Sequence, residues 1–152
     1  ERLLKFCHKF IIMKIIDIQN QIIDEFEIMD DWMEKYEYMI SLGKSLPLMA
    51  DDFKNDSNLI KGCQSSVWLH AELKNDNIFF HADSDAIITK GIISILIRIY
   101  SGQAPKEILD SNFDFINKIG LREHLSQTRA NGLSSMIKQI KMYALAFQTK
   151  LN

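Results

Sequence analysis

The residue with the clearest chemical potential is Cys63, which lies in the stretch "LIKGCQSSVWLHAEL". Gly62 precedes it and allows a tight bend, while Gln64 and Ser65 follow it and fit poorly into an apolar core. Most lone cysteines are inert packing residues, but a thiol at an exposed bend can be attacked, extended into a partner and modified. The context therefore favours a reactive sulfur, although only Lys61 is placed to lower the pKa of the thiol.

Catalytic partners for this sulfur are not evident. The chain has four histidines, His8, His70, His81 and His124, of which the middle two fall on strands predicted to pair. No Cys-x-x-Cys or His-x-x-x-His spacing occurs, and zinc sites need three or four ligands, so no metal is expected. Neither a general base nor an oxyanion hole is indicated, which disfavours a cysteine hydrolase.

Arg129 is the second candidate, in "QTRANGL" just before the last predicted helix. By default such an arginine is a solvated charge. Its guanidinium is also a rigid fork of donors, which suits a hydrogen bond to an anionic group or to a loop carbonyl. No glycine-rich phosphate loop occurs, and the aromatic and methionine positions fit core packing better than a cofactor site.

Length and composition indicate one globular domain. The chain has 152 residues, 47% of them hydrophobic, which is enough for a single core. A net charge of -2 argues against sequence-independent binding to nucleic acid, which needs a basic surplus. Two cysteines cannot build a disulfide framework, so a reducing compartment, the cytoplasm, is expected. The longest apolar run, "GIISILIRIY", is too short to span a bilayer.

The first twelve residues, "ERLLKFCHKFII", are interpreted separately. They are basic and apolar but lack the small-residue cleavage site of a signal peptide. Because Met13 resembles a natural start, residues 1–12 are predicted to be a non-native or poorly ordered extension. Residues 13–150 then form a single domain in which Cys63 is the only cysteine.

Helical periodicity marks the first part of this domain. Apolar residues recur at spacings of three and four from Ile15 to Met29, which predicts an amphipathic helix. Asp31 and Glu34 form a capping pattern for a second helix that ends at Gly43.

Further helices are predicted after the middle of the chain. A long apolar helix is expected from a cap at Asp83 or Ser84 to Gly102, with short helices at "PKEILD" and "FDFINKIG". The last helix is predicted over residues 130–148. The expected core residues are Trp32, Tyr36, Val67, Leu69, Ile92, Ile95, Leu96, Met136 and Ile140.

Between these helices the pattern changes to a period of two, which indicates strands. One face carries Val67, Leu69, Ala71 and Leu73, and "KNDN" then predicts a turn into a returning strand, "IFFHA". The segment "NLIKG" is predicted to add a third strand, with Cys63 at the bend. The expected fold class is α+β, with a small three-stranded antiparallel sheet packed against helices from both ends of the chain.

Several blocks of the sequence together resemble the SufE family of sulfur-acceptor proteins. They are "WMEKYEYMISLGKSLP", "IKGCQSSVWL", "DSDAIITKG", "HLSQTRANGL" and "MIKQIK", and they follow the family's order and spacing from Ile22 to Phe147. This combination is far more specific than any single motif. The resemblance implies the SufE/NifU-like fold that the family shares with scaffold domains of iron–sulfur cluster assembly.

The resemblance implies a sulfur carrier rather than a stand-alone enzyme. Cys63 matches the family's persulfide-bearing cysteine, which receives sulfur from a cysteine desulfurase and passes it to an iron–sulfur assembly scaffold. The desulfurase uses pyridoxal phosphate, and the carrier needs no cofactor of its own. Arg129 matches a basic residue that supports the loop. The implied partner-binding residues are Gly62, Gln64, Ser65, Asp83, Ser84, Asp85 and Lys90.

Three alternatives stay open beside this interpretation. The first is a non-catalytic regulator that only binds the desulfurase, whereas the carrier would also stimulate it. The second is an iron–sulfur scaffold of the same fold, which needs several thiolates. The third is a cysteine hydrolase. Partners such as nucleic acid or a membrane are not implied, and either a monomer or a homodimer is compatible with the sequence.

Overall fold

Residues 13–152 are described by the computed structural model of the protein. The helices are α1 (Ile15–Ile28), α2 (Trp32–Lys44), α3 (Ile87–Tyr100), α4 (Pro105–Asp110), α5 (Phe115–Lys118) and α6 (Gln127–Leu151). The strands are β1 (Val67–Lys74) and β2 (Asn77–Ser84), and short 3-10 turns cover Asp51–Phe53 and Arg122–His124. The α+β class is confirmed, whereas the predicted extension over residues 1–12 lies outside the described residues.

The sheet is an antiparallel hairpin of β1 and β2. Its register runs from Val67 opposite Ser84 to Lys74 opposite Asn77. The connecting turn is formed by Asn75 and Asp76, with φ angles of 52° and 65°. Asn and Asp tolerate this left-handed conformation, which matches the twist of a two-residue hairpin.

The predicted third strand is wrong. Leu59 forms only an isolated bridge with Trp68, and the sheet has two strands within residues 13–152. The ladder cannot extend because residues 56–58 form a turn and Gly62 turns the chain again with a φ of 93°. Cys63 therefore follows an isolated bridge rather than a full strand.

Helix α3 forms the centre of the core. Most of its residues are buried, and it packs against α2 and β2. Gly91 approaches α2 so closely that a Cβ there would lie 2.3 Å from the carbonyl oxygen of Met39. This close crossing fixes the position of the first turn of α3 within the fold.

The predicted core is largely confirmed. The predicted residues that are buried are Val67, Leu69, Ile92, Ile95, Leu96, Met136 and Ile140. Trp32 and Tyr36 are only half-buried, because they lie at the edge of the core against His124. The Trp32 and His124 rings stack with centroids 3.8 Å apart, and the Tyr36 hydroxyl donates a hydrogen bond to the His124 carbonyl.

The start of α3 differs from the prediction. The helix begins at Ile87 after Ala86, so Asp83 and Ser84 are not its N-cap. Both residues belong to the end of β2, where their side chains bond to other parts of the chain.

Helix α6 begins earlier than predicted, at Gln127. The Ser126 hydroxyl accepts a hydrogen bond from the Arg129 amide at 3.3 Å and so caps the helix. Arg129 therefore belongs to the first turn of α6 rather than to the loop before it. Within residues 13–152, no helix combines the length and the apolar character required to cross a membrane.

Candidate functional site

The loop that carries Cys63 is shaped by Gly62. This glycine has a φ of 93°, a conformation that residues with a side chain rarely adopt, and a Cβ there would lie 2.5 Å from the Ser135 hydroxyl oxygen on α6. Glycine is therefore favoured by the turn, and a side chain here would also displace the Ser135 hydroxyl. As a result, the next residue, Cys63, is held against α6.

The thiol of Cys63 is half-buried against the main chain of α6. Its Sγ lies 3.6 Å from the carbonyl oxygen of Gly132, to which the S–H group donates a weak hydrogen bond. A Cβ at Gly132 would come within 3.4 Å of the same sulfur. Burial raises the pKa of the Cys63 thiol above its ordinary value, so the resting sulfur is a neutral thiol near neutral pH.

A cavity of about 220 Å³ opens beside this sulfur. Its walls come from the Cys63 loop, from the amino-terminal half of α3 and from the beginning of α6. The lining residues are Cys63, Gln64, Ser65, Thr89, Ile92, Ser126, Thr128, Arg129, Gly132 and Met136. Arg129 is the only charged residue among them, so a positive group lines the cavity and no carboxylate of residues 13–152 does.

The far end of the Cys63 loop is attached to the segment that follows the hairpin. The Ser66 amide donates a hydrogen bond to Oδ1 of Asp85 at 3.0 Å, and the Ser84 hydroxyl donates one to the Ser66 carbonyl at 2.8 Å. The Asp85 amide donates to the same carbonyl at 3.2 Å. Ser84 and Asp85 therefore fix the point at which the loop becomes β1.

Asp83 is buried between two lysines. Its Oδ2 lies 2.8 Å from Nζ of Lys54, and its Oδ1 lies 3.2 Å from Nζ of Lys90. Burial alone would raise the pKa of Asp83, but hydrogen bonds from Lys54, from the Ser84 amide and from Lys90 outweigh it and lower the pKa. The ionised carboxylate therefore ties β2 to α3 and to the segment around Lys54.

The sequence profile of the SufE family, described as "Fe-S metabolism associated domain", matches residues 20–144. The chain belongs to the SufE family. The resemblance found in the sequence is therefore confirmed, and the matched region includes the Cys63 loop and the first part of α6.

Individual SufE-like proteins are similar to this chain over most of its length. An uncharacterized SufE-like protein of Rhizobium etli is 44% identical over 128 residues, which cover 80% of this chain and 86% of the relative. One of Rhizobium meliloti is 44% identical over 131 residues, covering 82% and 93%. One of Synechocystis is 34% identical over 128 residues, covering 84% and 80%.

The fold is shared with a solved structure of low sequence identity. The solution structure of a hypothetical protein from Thermus thermophilus superposes with a TM-score of 0.73 at 16% identity. The match covers 87% of this chain and 96% of that one, so it extends to nearly all elements of the fold.

The SufE-like chain brings the candidate residues together in two groups. The first group lies at the cavity or shapes its loop and comprises Gly62, Cys63, Gln64, Ser65 and Arg129. The second group bonds within the chain at the end of the hairpin and the start of α3, and comprises Asp83, Ser84, Asp85 and Lys90.

The histidines of the hairpin lie apart from the Cys63 cavity. His70 and His81 are directly opposite in the register, with ring centroids 6.4 Å apart. His70 stacks on Phe53, and Nε2 of His81 lies 3.3 Å from a Glu72 carboxylate oxygen. Within residues 13–152, no group of three or more His, Cys, Asp or Glu side chains is arranged to hold a metal ion.

Four residues at the cavity were named in no prediction: Thr89, Ser126, Thr128 and Gly132. Gly132 falls inside the "QTRANGL" block, so its motif was a usable signal. Thr89 falls inside the "DSDAIITKG" block, but the block does not indicate that this side chain is near Cys63; the packing of α3 beside the Cys63 loop places it at the cavity.

Proposed function

We propose that the chain is a sulfur acceptor and carrier that receives sulfur on Cys63 from a cysteine desulfurase. The resulting persulfide then passes its outer sulfur to an iron–sulfur assembly scaffold. The observation that supports this proposal is the Cys63 thiol at a cavity mouth, on a glycine-shaped loop of a SufE family chain. A reducing compartment such as the cytoplasm suits this chemistry, because the acceptor thiol must stay reduced.

The transfer needs no external oxidant or reductant. The Cys63 thiolate attacks the outer sulfur of the donor persulfide and forms a new S–S bond. The S–S bond of the donor breaks, and the donor cysteine leaves as a thiolate with the bonding electron pair. The rate depends on the thiolate fraction and on access, so the raised pKa of Cys63 slows the reaction in the resting state.

Productive docking must therefore deprotonate Cys63 and move it away from Gly132. The sulfur is half-buried, and its contact with the Gly132 carbonyl at 3.6 Å has to break before a donor can reach it. Gly62, Gln64 and Ser65 flank the sulfur and form the surface that a donor meets first. Because this movement is required, the partner must both deliver the sulfur and open the Cys63 loop.

Four residues behind the Cys63 loop are proposed to control how the loop opens when the partner binds. Asp83 and Lys90 hold β2 against α3, while Ser84 and Asp85 hold the loop end at Ser66. We assign these side chains to the control of loop opening when the desulfurase binds. Arg129, in the first turn of α6, supports the loop from the cavity side.

Intact mass spectrometry after incubation with a cysteine desulfurase and cysteine tests this function. The chain should gain the mass of a sulfur atom, and the gain should be absent from a Cys63→Ser variant, with Cys7→Ser in both proteins. Binding to the desulfurase without any gain in mass would support the regulator instead. A scaffold is disfavoured because residues 13–152 offer a single cysteine, whereas clusters are held by several.

A further inference from the structure

The cavity beside Cys63 is lined by a buried residue, Thr89, whose hydroxyl group has no hydrogen-bond partner among residues 13–152. Thr89 is only 7% exposed, and its side chain lines the cavity in the first turn of α3. A buried hydroxyl in a helix usually donates to a carbonyl of the preceding turn, as Ser94 does to Gly91 at 2.7 Å. The Thr89 hydroxyl makes no hydrogen bond within residues 13–152. Every fully enclosed side-chain oxygen of the described residues has a partner, so the Thr89 oxygen is not fully enclosed. The cavity is the space that Thr89 lines.

The amino end of α6 forms another wall of the same cavity. The helix has 25 residues, and Ser126 and Thr128 at its start line the cavity. The Ser126 hydroxyl accepts from the Arg129 amide, which leaves the Gln127 and Thr128 amides without an acceptor in the described part of the chain. Such an end carries partial positive charge and directs amide hydrogens toward an anion.

The charge and the size of the cavity narrow the class of ligand. Arg129 adds a guanidinium, and no carboxylate from the described part of the chain lines the cavity. The volume of about 220 Å³ is smaller than the roughly 300–1,000 Å³ of pockets for drug-sized ligands. A hydroxyl donor, free amides and one cation in a small space fit a tetrahedral oxyanion.

We propose that this cavity binds a small sulfur oxyanion, and that thiosulfate bound there transfers its outer sulfur to Cys63. The oxyanion end is recognised by Thr89, by the free amides of α6 and by Arg129. Because Cys63 lines the same cavity, the outer sulfur of thiosulfate is the atom that its thiolate would attack.

The reaction balances without an added oxidant or reductant. The Cys63 thiol releases its proton to solvent, and the thiolate attacks the outer sulfur of thiosulfate. A new S–S bond forms, the S–S bond of thiosulfate breaks, and sulfite leaves with the bonding pair. The products are the Cys63 persulfide anion, sulfite and one proton. The positive groups of the cavity stabilise the departing sulfite dianion.

This activity goes beyond the proposed function because it needs no desulfurase. It uses the same acceptor sulfur but a different donor, which the chain's own cavity holds. The two sources of sulfur can therefore be tested side by side on one protein.

The experiment measures sulfite release and the intact mass of the Cys7→Ser chain during titration with thiosulfate. Loading should saturate, require Cys63 and be inhibited by sulfate, which has the oxyanion but no transferable sulfur. Thr89→Val keeps the side-chain shape without the hydroxyl and should lower loading at subsaturating thiosulfate by about tenfold or more, since a hydrogen bond to a charged group is lost. Thr89→Ser should retain most of the activity.

The matched control is Ser94→Ala, which removes a hydroxyl of the same helix outside the cavity and should leave loading unchanged. Thermal melts verify that each variant folds, and the sulfate competition needs no variant.

The proposal is overturned if thiosulfate adds no sulfur while the desulfurase loads a parallel sample. It is also overturned if sulfate does not compete or if the Thr89 and Ser94 variants behave alike. Loading by thiosulfate but not by the desulfurase would support this inference and contradict the proposed function. If neither donor loads Cys63, both are wrong.

Discussion

The sulfur of Cys63 lies 3.6 Å from the carbonyl oxygen of Gly132, so the reactive group rests on the main chain of α6 instead of in open solvent. The loop and the helix are far apart in the sequence, and Gly62 brings them together by its approach to Ser135. The contact defines a protected resting state. Its consequences for reactivity can be measured directly.

Alkylation of Cys63 should report this protected state through its dependence on pH. The folded thiol has a raised pKa, so in a Cys7→Ser background its reaction with iodoacetamide should reach half-maximal rate at a higher pH than in the denatured chain. By linkage, the stability gained from a buried neutral thiol is present below the unfolded pKa and is lost as pH rises through the folded one. A folded midpoint at or below the denatured one would contradict the protected state.

Core substitutions should separate buried from exposed positions on the same helices. Leu96→Ala in α3 and Ile140→Ala in α6 should each lower the free energy of unfolding by about 2–5 kcal/mol, because apolar contacts are lost and a cavity remains. Ile87→Ala and Leu145→Ala, at positions 64% and 59% exposed, should each cost about 0.5 kcal/mol or less. Denaturant melts measure all four. Equal losses of unfolding free energy at buried and exposed positions would show that the wrong faces of α3 and α6 are assigned to the core.

Asp83 should make the protein sensitive to acid. The pKa of Asp83 is lowered in the folded chain. Its contribution to the stability of the fold is therefore present above the pKa of the unfolded chain and is lost as pH falls through the pKa of the folded chain. Asp83→Asn should cost about 1–3 kcal/mol at neutral pH and reduce the loss of stability in acid. The control is Asp110→Asn, which removes an exposed pair with Lys106 at 3.9 Å and should change little. An unchanged acid profile in Asp83→Asn would rule out this role.

Asp85 should control how firmly the Cys63 loop is closed. Asp85→Ala removes the acceptor for the Ser66 amide, held at 3.0 Å, and should accelerate alkylation of Cys63 while the fold persists. Asp110→Ala, at an exposed position of α4 outside the Cys63 loop, is the control and should leave the alkylation rate unchanged. If Asp85→Ala alkylates no faster than the control, the hydrogen bond to Ser66 does not restrain the loop.

Local patterns were sufficient to predict the helices, the hairpin and the family. The alternation from Val67 to Leu73 and the glycine before Cys63 are short-range signals, and the structure retains both. The absence of a third strand could not be predicted from the local sequence. A preference for extended backbone at Leu59 does not indicate how many of its neighbours will pair with β1. The motif blocks identified the loop without showing what packs against it.

Tertiary contacts account for the features that the sequence did not predict. Thr89 reaches the cavity only because α3 crosses α2 closely at Gly91 and lies beside the Cys63 loop. Asp83 has the chemistry of a helix cap, yet two lysines from other segments take its carboxylate. In both cases the local sequence allows more than one arrangement, and the packing of distant segments determines which one forms.

The transfer of labelled sulfur from a cysteine desulfurase to Cys63 tests the central claim most directly. Radiolabelled cysteine is supplied to the desulfurase together with the Cys7→Ser chain or the same chain carrying Cys63→Ser. Serine keeps the size of the side chain but is a far poorer nucleophile, because its hydroxyl stays protonated near neutral pH. We predict label on the chain that retains Cys63 and none on the Cys63→Ser chain, with both binding the desulfurase. Equal labelling of the two chains would contradict the account.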